Sequence, residues 1–193
     1  MPWEKNFDVD QVQRKAMEIF WTRGYDATSV QDLLDFLGIN RGSFYGTFTS
    51  KRQAMLDALR RYDANNRRAL FEEARRGRSP KESAVWIFSS AAERCSTSTG
   101  RRGCFLVNSA LELAPRDHEV AAIVNQAFAE IKKFFLVAIT EGKKEREIPQ
   151  RVDAHATSLA LMSMLLGIRV LSRSGAPKAA IAAVAQQAIA LLG

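Results

Sequence analysis

The sequence predicts an all-α protein of about nine helices, and three observations support this fold class. Pro and Gly are scarce, at 5 and 11 of 193 residues, whereas the helix formers Ala, Leu, Arg and Glu are plentiful. Apolar residues recur three and four positions apart along most of the chain, and no stretch alternates convincingly as a strand. A hydrophobic content of 47% is enough to bury the core of one or two small domains.

The first predicted helix starts at an Asp N-cap, either Asp8 or Asp10, and ends at Gly24. Its apolar residues fall at helical spacing and predict one buried face. That face consists of Val12, Ala16, Ile19 and Phe20. Tyr25 follows at the corner, where an aromatic residue most often packs into the core.

Two short helices joined by a tight turn follow the first one. Thr28 is predicted as the N-cap of the second helix, with Gln31 completing a capping box. Gly38 can adopt the left-handed conformation that ends a helix, and Asn40 caps a third helix of residues 41–46. A support helix, a tight turn and a short polar helix together predict a helix-turn-helix.

The third helix carries a polar surface beside its apolar anchors. Phe44 and Phe48 lie four residues apart and can pack into the core. The other positions offer hydrogen-bond donors or bare backbone: Arg41, Gly42, Ser43, Tyr45 and Thr47. Ser50 caps a further helix whose first residue is Lys51, where lysine and free amides together would hold a phosphate. The alternative is a small packing unit with ordinary surface residues.

The segment from about Val9 to Leu59 resembles the N-terminal DNA-binding domain of the TetR family of bacterial transcriptional repressors. Residues 38–51 read GINRGSFYGTFTSK, which matches the family signature G-[IV]-x-x-G-[ST]-[FLI]-Y-x-x-F-x-x-K. Gly46 departs from the pattern, because the family usually carries a bulkier residue there. The resemblance further rests on Ala16, Phe20, Gly24, Tyr25, Thr28, Ser29, Val30 and Leu34.

The resemblance also implies roles for individual residues. It implies that Tyr45 and Lys51 hold phosphates of a double-stranded operator, with Thr28 and Thr47 assisting. It places a second set against base edges, namely Arg41, Gly42 and Ser43.

The charge distribution agrees with a phosphate-facing surface near this motif. The net charge is +7, and residues 1–38 carry four Lys and Arg against seven Asp and Glu. Residues 39–78 carry ten against four, and residues 79–193 carry fourteen against ten. The positive excess therefore starts at the third helix, although an arginine-rich helix is by itself often only a solvated face.

The fourth predicted helix runs from Lys51 to about Arg76, and Gly77 to Pro80 breaks it. It links a helix-turn-helix DNA-binding domain, residues 1–50, to a helical effector-binding and dimerisation domain, residues 51–193. Ser79 and Glu82 predict the start of the next helix, with Pro80 at its first position. Further helices are predicted over about 104–114 and from near Asp117 to Gly142.

The last two helices, over about 152–174 and 177–192, have an unusual composition. Residues 159–168 are apolar on nearly every side, and small residues such as Ala160, Ser163 and Gly167 share one side. The final helix is dominated by alanine. Two copies could form a four-helix interface between subunits of a homodimer. The alternative is an internal core helix of a monomer.

The residues give little support for an enzyme. His118 and His155 stand apart from each other and from any paired carboxylates. Cys95 and Cys104 do not have the spacing of a zinc site, so we expect no catalytic residue, no metal and no cofactor. No signal pattern is found around residues 3–6, and no uncharged stretch is long enough to span a bilayer, so we expect a cytoplasmic protein that contacts no membrane.

Cys104 is the one reactive candidate. Arg101 and Arg102 precede it and a helix follows, and both the cations and the helix dipole favour a thiolate. The GC[FL]xxN pattern resembles the TetR subgroup that includes the N-ethylmaleimide-responsive repressor, whose matching cysteine senses electrophiles. The alternative is a small buried core residue. A cavity for a small-molecule effector is predicted among the later helices, lined by Trp86, Cys104, Phe105, Asn108, Phe128 and Met162.

These observations together predict a dimeric TetR-type repressor. It would bind a palindromic operator and be released by a small molecule, an electrophile or an oxidant. The alternative is a thiol-reactive or small-molecule-binding helical protein that does not bind an operator.

Overall fold

The computed structural model describes residues 8–95, 97 and 100–193. Residues 3–6, which bear on the absence of a signal pattern, and residues 96, 98 and 99 of the polar loop lie outside this description. The helices in chain order are α1 (Val9–Arg23), α2 (Val30–Leu37), α3 (Arg41–Phe48), α4 (Lys51–Tyr62), α5 (Ala69–Arg75), α6 (Pro80–Cys95), α7 (Phe105–Glu112), α8 (His118–Lys144), α9 (Ala154–Arg173) and α10 (Lys178–Ala190).

The fourth predicted helix contains an irregularity that its sequence does not reveal. A π-helical segment, Asp63–Arg68, joins α4 to α5 without leaving the right-handed helical region. We call α4, the π segment and α5 together the rod. If the rod is counted as one helix, the described residues contain nine helices and form an all-α fold. Such π segments are rare and often occur at functional sites.

Most predicted helix starts are confirmed. Asp8 caps α1 by accepting a hydrogen bond from the Asp10 amide. Asp117 caps α8 by accepting from the amides of Glu119 and Val120. Ser79 and Glu82 form the reciprocal bonds of a capping box at the start of α6, with each backbone N–H donating to the other side chain.

The predicted N-cap of α2 is wrong by one residue. Ser29, not Thr28, is the N-cap, and its box partner is Asp32 rather than Gln31. The Ser29 amide donates to Asp32 Oδ2 at 2.8 Å, and the Asp32 amide donates to Ser29 Oγ at 3.0 Å. Thr28 is instead fully buried, and its hydroxyl donates to the Gly24 carbonyl rather than accepting from an amide of α2. Both residue types can cap a helix, and the contact of Thr28 with the end of α1 leaves the cap to Ser29.

Two hydrophobic cores meet along the rod of α4 and α5. The first contains the apolar faces of α1 to α4 together with Phe105, Leu106 and the first turns of α8. The second contains α5, α6, α9, α10 and the rest of α8. The core of the N-terminal helices is therefore completed by residues far along the chain.

Helix α9 is long and apolar enough to span a membrane by length and composition alone. It packs on α8, α6 and α10, so one side of it belongs to the second core. Its other side remains exposed, with Leu159 at 48% and Val170 at 46% exposure. The core helices of non-membrane proteins pass the same test of length and composition. An exposed apolar side on such a helix indicates a surface that another element covers.

Candidate nucleic-acid interface and central cavity

The turn between α2 and α3 has the geometry that a helix-turn-helix needs. Gly38 adopts φ 71° and ψ 34°, the left-handed conformation that costs a residue with a Cβ atom about 1 kcal/mol or more. Its N–H donates to the Leu34 carbonyl at 2.9 Å, and the Ile39 N–H donates to the same oxygen at 3.3 Å. Asn40 Oδ1 then accepts from the Ser43 amide at 2.8 Å and starts α3. Hydrogen bonds thus fix the angle between the two helices.

Helix α3 buries one side and exposes the other. Phe44 and Phe48 are 0% and 1% exposed, and their ring centroids lie 5.3 Å apart. Gly42 and Gly46 are exposed on the opposite side, Tyr45 is 42% exposed, and Arg41 is exposed at the N-terminal end of the helix. The two buried phenylalanines therefore hold a helix of eight residues that would be unstable alone in water.

Ser43 and Thr47, two of the predicted DNA-contact residues, already use part of their hydrogen-bonding capacity within α3. Ser43 is half-buried, and its carbonyl accepts from the Thr47 hydroxyl at 2.9 Å. The Thr47 hydroxyl oxygen keeps its lone pairs, but its proton is already used in this hydrogen bond.

Arg41 forms no ion pair with any described residue, so its guanidinium is available to an outside acceptor.

Thr28 departs from the phosphate role that the family resemblance implied. Its side chain is 0% exposed, and its hydroxyl donates to the Gly24 carbonyl at 2.6 Å. Its own amide donates to the Tyr25 carbonyl at 3.2 Å. Both donors are therefore committed inside the protein, where Thr28 holds the corner between α1 and α2.

Lys51 lies beside the same surface. It is the first residue of α4, and its ammonium group lies 4.1 Å from the centre of the Tyr25 ring. This cation–π contact fixes the position of the charge without neutralising it. Burial raises the pKa of the Tyr25 phenol, and the nearby Asp26 carboxylate raises it further, so the ring partner stays neutral near pH 7.

The arginines of residues 39–78 contribute less to this surface than the sequence suggests. Arg52 pairs with Asp117 at 2.7 Å, and Arg60 pairs with Glu119 at 3.0 Å. Arg61, Arg67 and Arg68 also pair with carboxylates. These ion pairs attach the rod to α1 and α8, which a count of charges along the sequence cannot reveal. Arg41 and Lys51 remain as the cations beside α3 that pair with no described carboxylate.

A central cavity of about 440 Å³ lies where the two cores meet. Trp21 of α1 and Tyr62 of α4 form one wall, with ring centroids 4.8 Å apart. The π-helical segment contributes Asn66 and Arg67, and Cys104 lies on the cavity at the start of α7. Six apolar side chains also line the cavity: Leu70, Phe71, Leu106, Ile131, Leu165 and Leu166. The cavity therefore contacts both the N-terminal helices and the later ones.

Of the six predicted effector-binding residues, the structure places only Cys104 on this cavity. Phe105 is buried against Tyr62, at a centroid distance of 5.8 Å, and Asn108 Nδ2 donates to the Arg102 carbonyl at 3.1 Å. Trp86 lines a separate, more open cleft beneath the Arg78 guanidinium. Phe128 and Met162 are partly buried against the hydrophobic cores.

The cationic lining of the cavity does not follow from the sequence. Arg94, Arg102 and Arg169 line it, although the sequence predicts only an effect of Arg102 on Cys104 and the other two belong to no motif. Burial raises the pKa of the Tyr62 phenol well above its ordinary value, and the adjacent Cys104 side chain adds to this effect. Tyr62 is therefore a neutral donor in the cavity wall.

Two family models match the chain. The model for bacterial regulatory proteins of the tetR family matches residues 14–59, which include α2 and α3. The model for the C-terminal domain of tetracyclin repressor-like proteins matches residues 85–188, more than half of the chain. The first matched region ends within α4, and the second begins within α6.

Individual proteins are similar over most of their length. The HTH-type transcriptional repressor ComR of Escherichia coli (strain K12) is 30% identical over 177 residues, which cover 89% of this chain and 82% of ComR. The regulator CifR, solved as a cysteine mutant complexed with 26-bp operator DNA, has a TM-score of 0.87 at 23% identity and 98% coverage of both chains. Reduced E. coli NemR has a TM-score of 0.83 at 14% identity, covering 96% of this chain and 97% of NemR. The two structural likenesses concern the fold alone.

Proposed function

The chain belongs to the TetR family of bacterial transcriptional regulators, and we propose that it is a dimeric cytoplasmic repressor released from a palindromic operator by an effector. Membership of this family makes it a regulator rather than an enzyme. The observation that carries the proposal is the exposed polar side of α3, which buried phenylalanines hold on a hydrogen-bonded turn. A short helix presented in this way can enter the major groove of DNA.

We assign the residues around α3 to two kinds of contact. Arg41, Gly42 and Ser43, at its N-terminal end, would face base edges, where an arginine can bind guanine through two hydrogen bonds. Tyr45, Thr47 and Lys51 would bind phosphates and fix the register on the duplex. Thr28 would act indirectly, by holding the corner that positions α2.

The proposed dimer uses the exposed sides of α9 and α10. Leu159 and Val170 on α9 and Leu191 at the C-cap of α10 are 40% exposed or more, although they are large and apolar. Small residues between them, such as Gly167, would let two helices approach closely. A dimer presents two copies of α3, and a single short helix needs such a second half-site for affinity.

We propose that the DNA-binding domain comprises residues 1–50 and that the effector-binding and dimerisation domain comprises residues 51–193.

The proposed switch is a shift between two conformations. The central cavity touches Trp21 of α1 and Tyr62 of α4, so a bound molecule would bias the position of the DNA-binding helices directly. An effector that fits only the conformer with misplaced α3 helices lowers the operator affinity by its differential binding. Cys104 on the same cavity would let an electrophile or an oxidant act as the effector.

Selection of bound duplexes from a random pool with the purified protein tests this function. We expect a palindromic sequence whose binding weakens steeply as salt rises. Arg41→Ala should relax the preference at one base position in each half-site, at a cost of about 1–3 kcal/mol. Lys51→Ala and Tyr45→Phe should weaken binding to all duplexes about equally.

Arg151→Ala is the matched control, because it removes an exposed cation far along the chain from α3. Arg41→Ala with an unchanged sequence preference would remove Arg41 from base reading. A pool in which no duplex is enriched would reject the operator function. That result would instead favour a thiol-reactive or small-molecule-binding protein.

A further inference from the structure

The central cavity carries positive charge without matching negative charge. Arg94, Arg102 and Arg169 line it, and no Asp or Glu among the described residues does. None of the three pairs with a described carboxylate. The Arg102 guanidinium lies 4.5 Å from the centre of the Trp21 ring, and Arg169 Nη1 donates to Cys95 Sγ at 3.6 Å. A ring face and a thiol are weak partners for a cation, so charge compensation is incomplete here.

Arg67 provides the internal contrast. It also lines the cavity, but its Nη2 donates to Asp63 at 2.8 Å and to Glu130 at 2.6 Å. Arg68 joins the same two carboxylates. The fold therefore supplies carboxylates to the arginines that act structurally and leaves three others without them.

The lining of the cavity also has an apolar part. Leucine, isoleucine and phenylalanine side chains supply it. Trp21, which also lines the cavity, has an indole N–H that is buried and finds no acceptor among the described residues. The lining thus combines cations that suit an anionic group with apolar side chains that suit a hydrocarbon chain or ring.

We propose that the effector of this protein is an amphipathic organic carboxylate, held at its charged end by Arg102 and Arg169 and at its apolar end by α5, α8 and α9. This inference rests on the proposed function and names the chemical class of ligand for the same cavity. A volume of about 440 Å³ lies within the usual range for small-molecule sites and admits a medium-length chain.

The carboxylate would also reach the DNA-binding helices. Arg102 stacks on Trp21 of α1, and Arg173 Nη1 donates to the Arg102 carbonyl at 2.8 Å. A ligand that pulls the Arg102 guanidinium away from Trp21 frees the end of α1, which packs on α4. Charge recognition at one end of the cavity would thereby favour the conformer with misplaced α3 helices.

The test compares decanoate with 1-decanol, which has the same chain length without the charge. Calorimetric titration of the full-length protein, without DNA, should give tighter binding of decanoate by about tenfold or more. Arg102→Gln and Arg169→Gln should each remove most of that difference and leave decanol binding unchanged. Retained decanol binding reports that each variant is folded. Decanoate, but not decanol, should release the selected operator.

Arg101→Gln is the matched control, because Arg101 is an exposed neighbour that does not line the cavity. Equal binding of decanoate and decanol, or equal losses in Arg101→Gln and Arg102→Gln, would overturn the anion assignment. Decanoate that binds without releasing operator would overturn its role as effector and leave DNA binding intact. Failure to bind any duplex would instead reject the repressor function, while the calorimetric comparison would still decide the ligand class.

Discussion

At the residue scale, Gly38 before α3 and Gly46 within α3 have opposite conformational requirements. Gly38 has a positive φ of 71°, which a residue with a Cβ atom adopts only with strain. Gly46 lies inside α3 with helical backbone angles, and a Cβ atom added there would contact nothing within 4 Å. Gly46, the departure from the family pattern, therefore weakens α3 without serving the backbone geometry.

We therefore expect Gly46→Ala to raise the free energy of unfolding by about 0.5–1 kcal/mol, because glycine loses more backbone entropy in a helix. Urea unfolding followed by circular dichroism, at one fixed protein concentration, measures this change. Gly38→Ala is the matched control and should lower stability by about 1 kcal/mol or more. Equal losses in both variants would mean that Gly46 meets a steric limit in α3.

Cys104 supports a second residue-scale prediction, because it is partly exposed and lines the central cavity whereas Cys95 is buried. N-ethylmaleimide should modify Cys104, fill the cavity and release the operator in the wild type and in Cys95→Ser. Cys104→Ser should retain the operator under the same treatment. Mass spectrometry locates the adduct, and a gel-shift assay measures release. Release of Cys104→Ser at the wild-type rate would end the sensor hypothesis.

At the element scale, α9 has two apolar sides, and only one of them packs against other described residues. The inner side meets α8 and α10, and the outer side leaves Leu159 and Val170 exposed. Gly167 lies on this helix with open space where a Cβ atom would stand. A side chain placed there would leave the fold of one subunit undisturbed and would meet the second subunit of the proposed dimer.

Gly167→Glu should therefore convert the dimer to a folded monomer, because it buries an unpaired charge in the subunit contact. Sedimentation equilibrium at micromolar concentration measures the mass, and circular dichroism checks the helix content. Ala122→Glu is the control, adding the same charge at an exposed site on α8. A wild type that sediments as a monomer, or a variant that remains dimeric, would reject this interface.

At the scale of the whole molecule, ion pairs join α4 to the start of α8. Arg52 near the start of α4 donates to both carboxylate oxygens of Asp117, the N-cap of α8, at 2.7 and 2.8 Å. These hydrogen bonds lower the pKa of the Asp117 carboxyl from 3.8 to about 2. The ionised form is therefore favoured in the folded protein, and this carboxylate stabilises the fold above its ordinary pKa.

Asp117→Asn should keep the N-cap and lose the ion pair, because Asn caps helices about as well as Asp. The variant should unfold at lower urea than the wild type at pH 7. The difference between the urea midpoints of variant and wild type should narrow as the pH falls from about 4 to about 2, because Asp117 itself becomes protonated in that range. Asp153→Asn at α9 is the control, since Asp153 caps without an arginine partner. A difference that stays constant with pH would exclude the Arg52 pair as its cause.

The sequence by itself determined the local features of this protein. The helix class, most caps, the Gly38 turn and the polar side of α3 follow from residues within one or two turns of each other. Such short-range interactions are similar in any helical context, so periodicity and capping chemistry suffice to predict them. The same reasoning cannot detect the π segment at 63–68, because its residues are compatible with an ordinary helix.

Only the tertiary structure decided which distant residues meet. Packing against α1 buried Thr28 and gave the cap to Ser29, although both residues can cap a helix. Pairing with carboxylates of α8 and its N-cap removed Arg52 and Arg67 from the free positive surface. Arg102 and Arg169 come together on the central cavity from 67 positions apart. The free energy of these contacts depends on distances between helices, which no local pattern specifies.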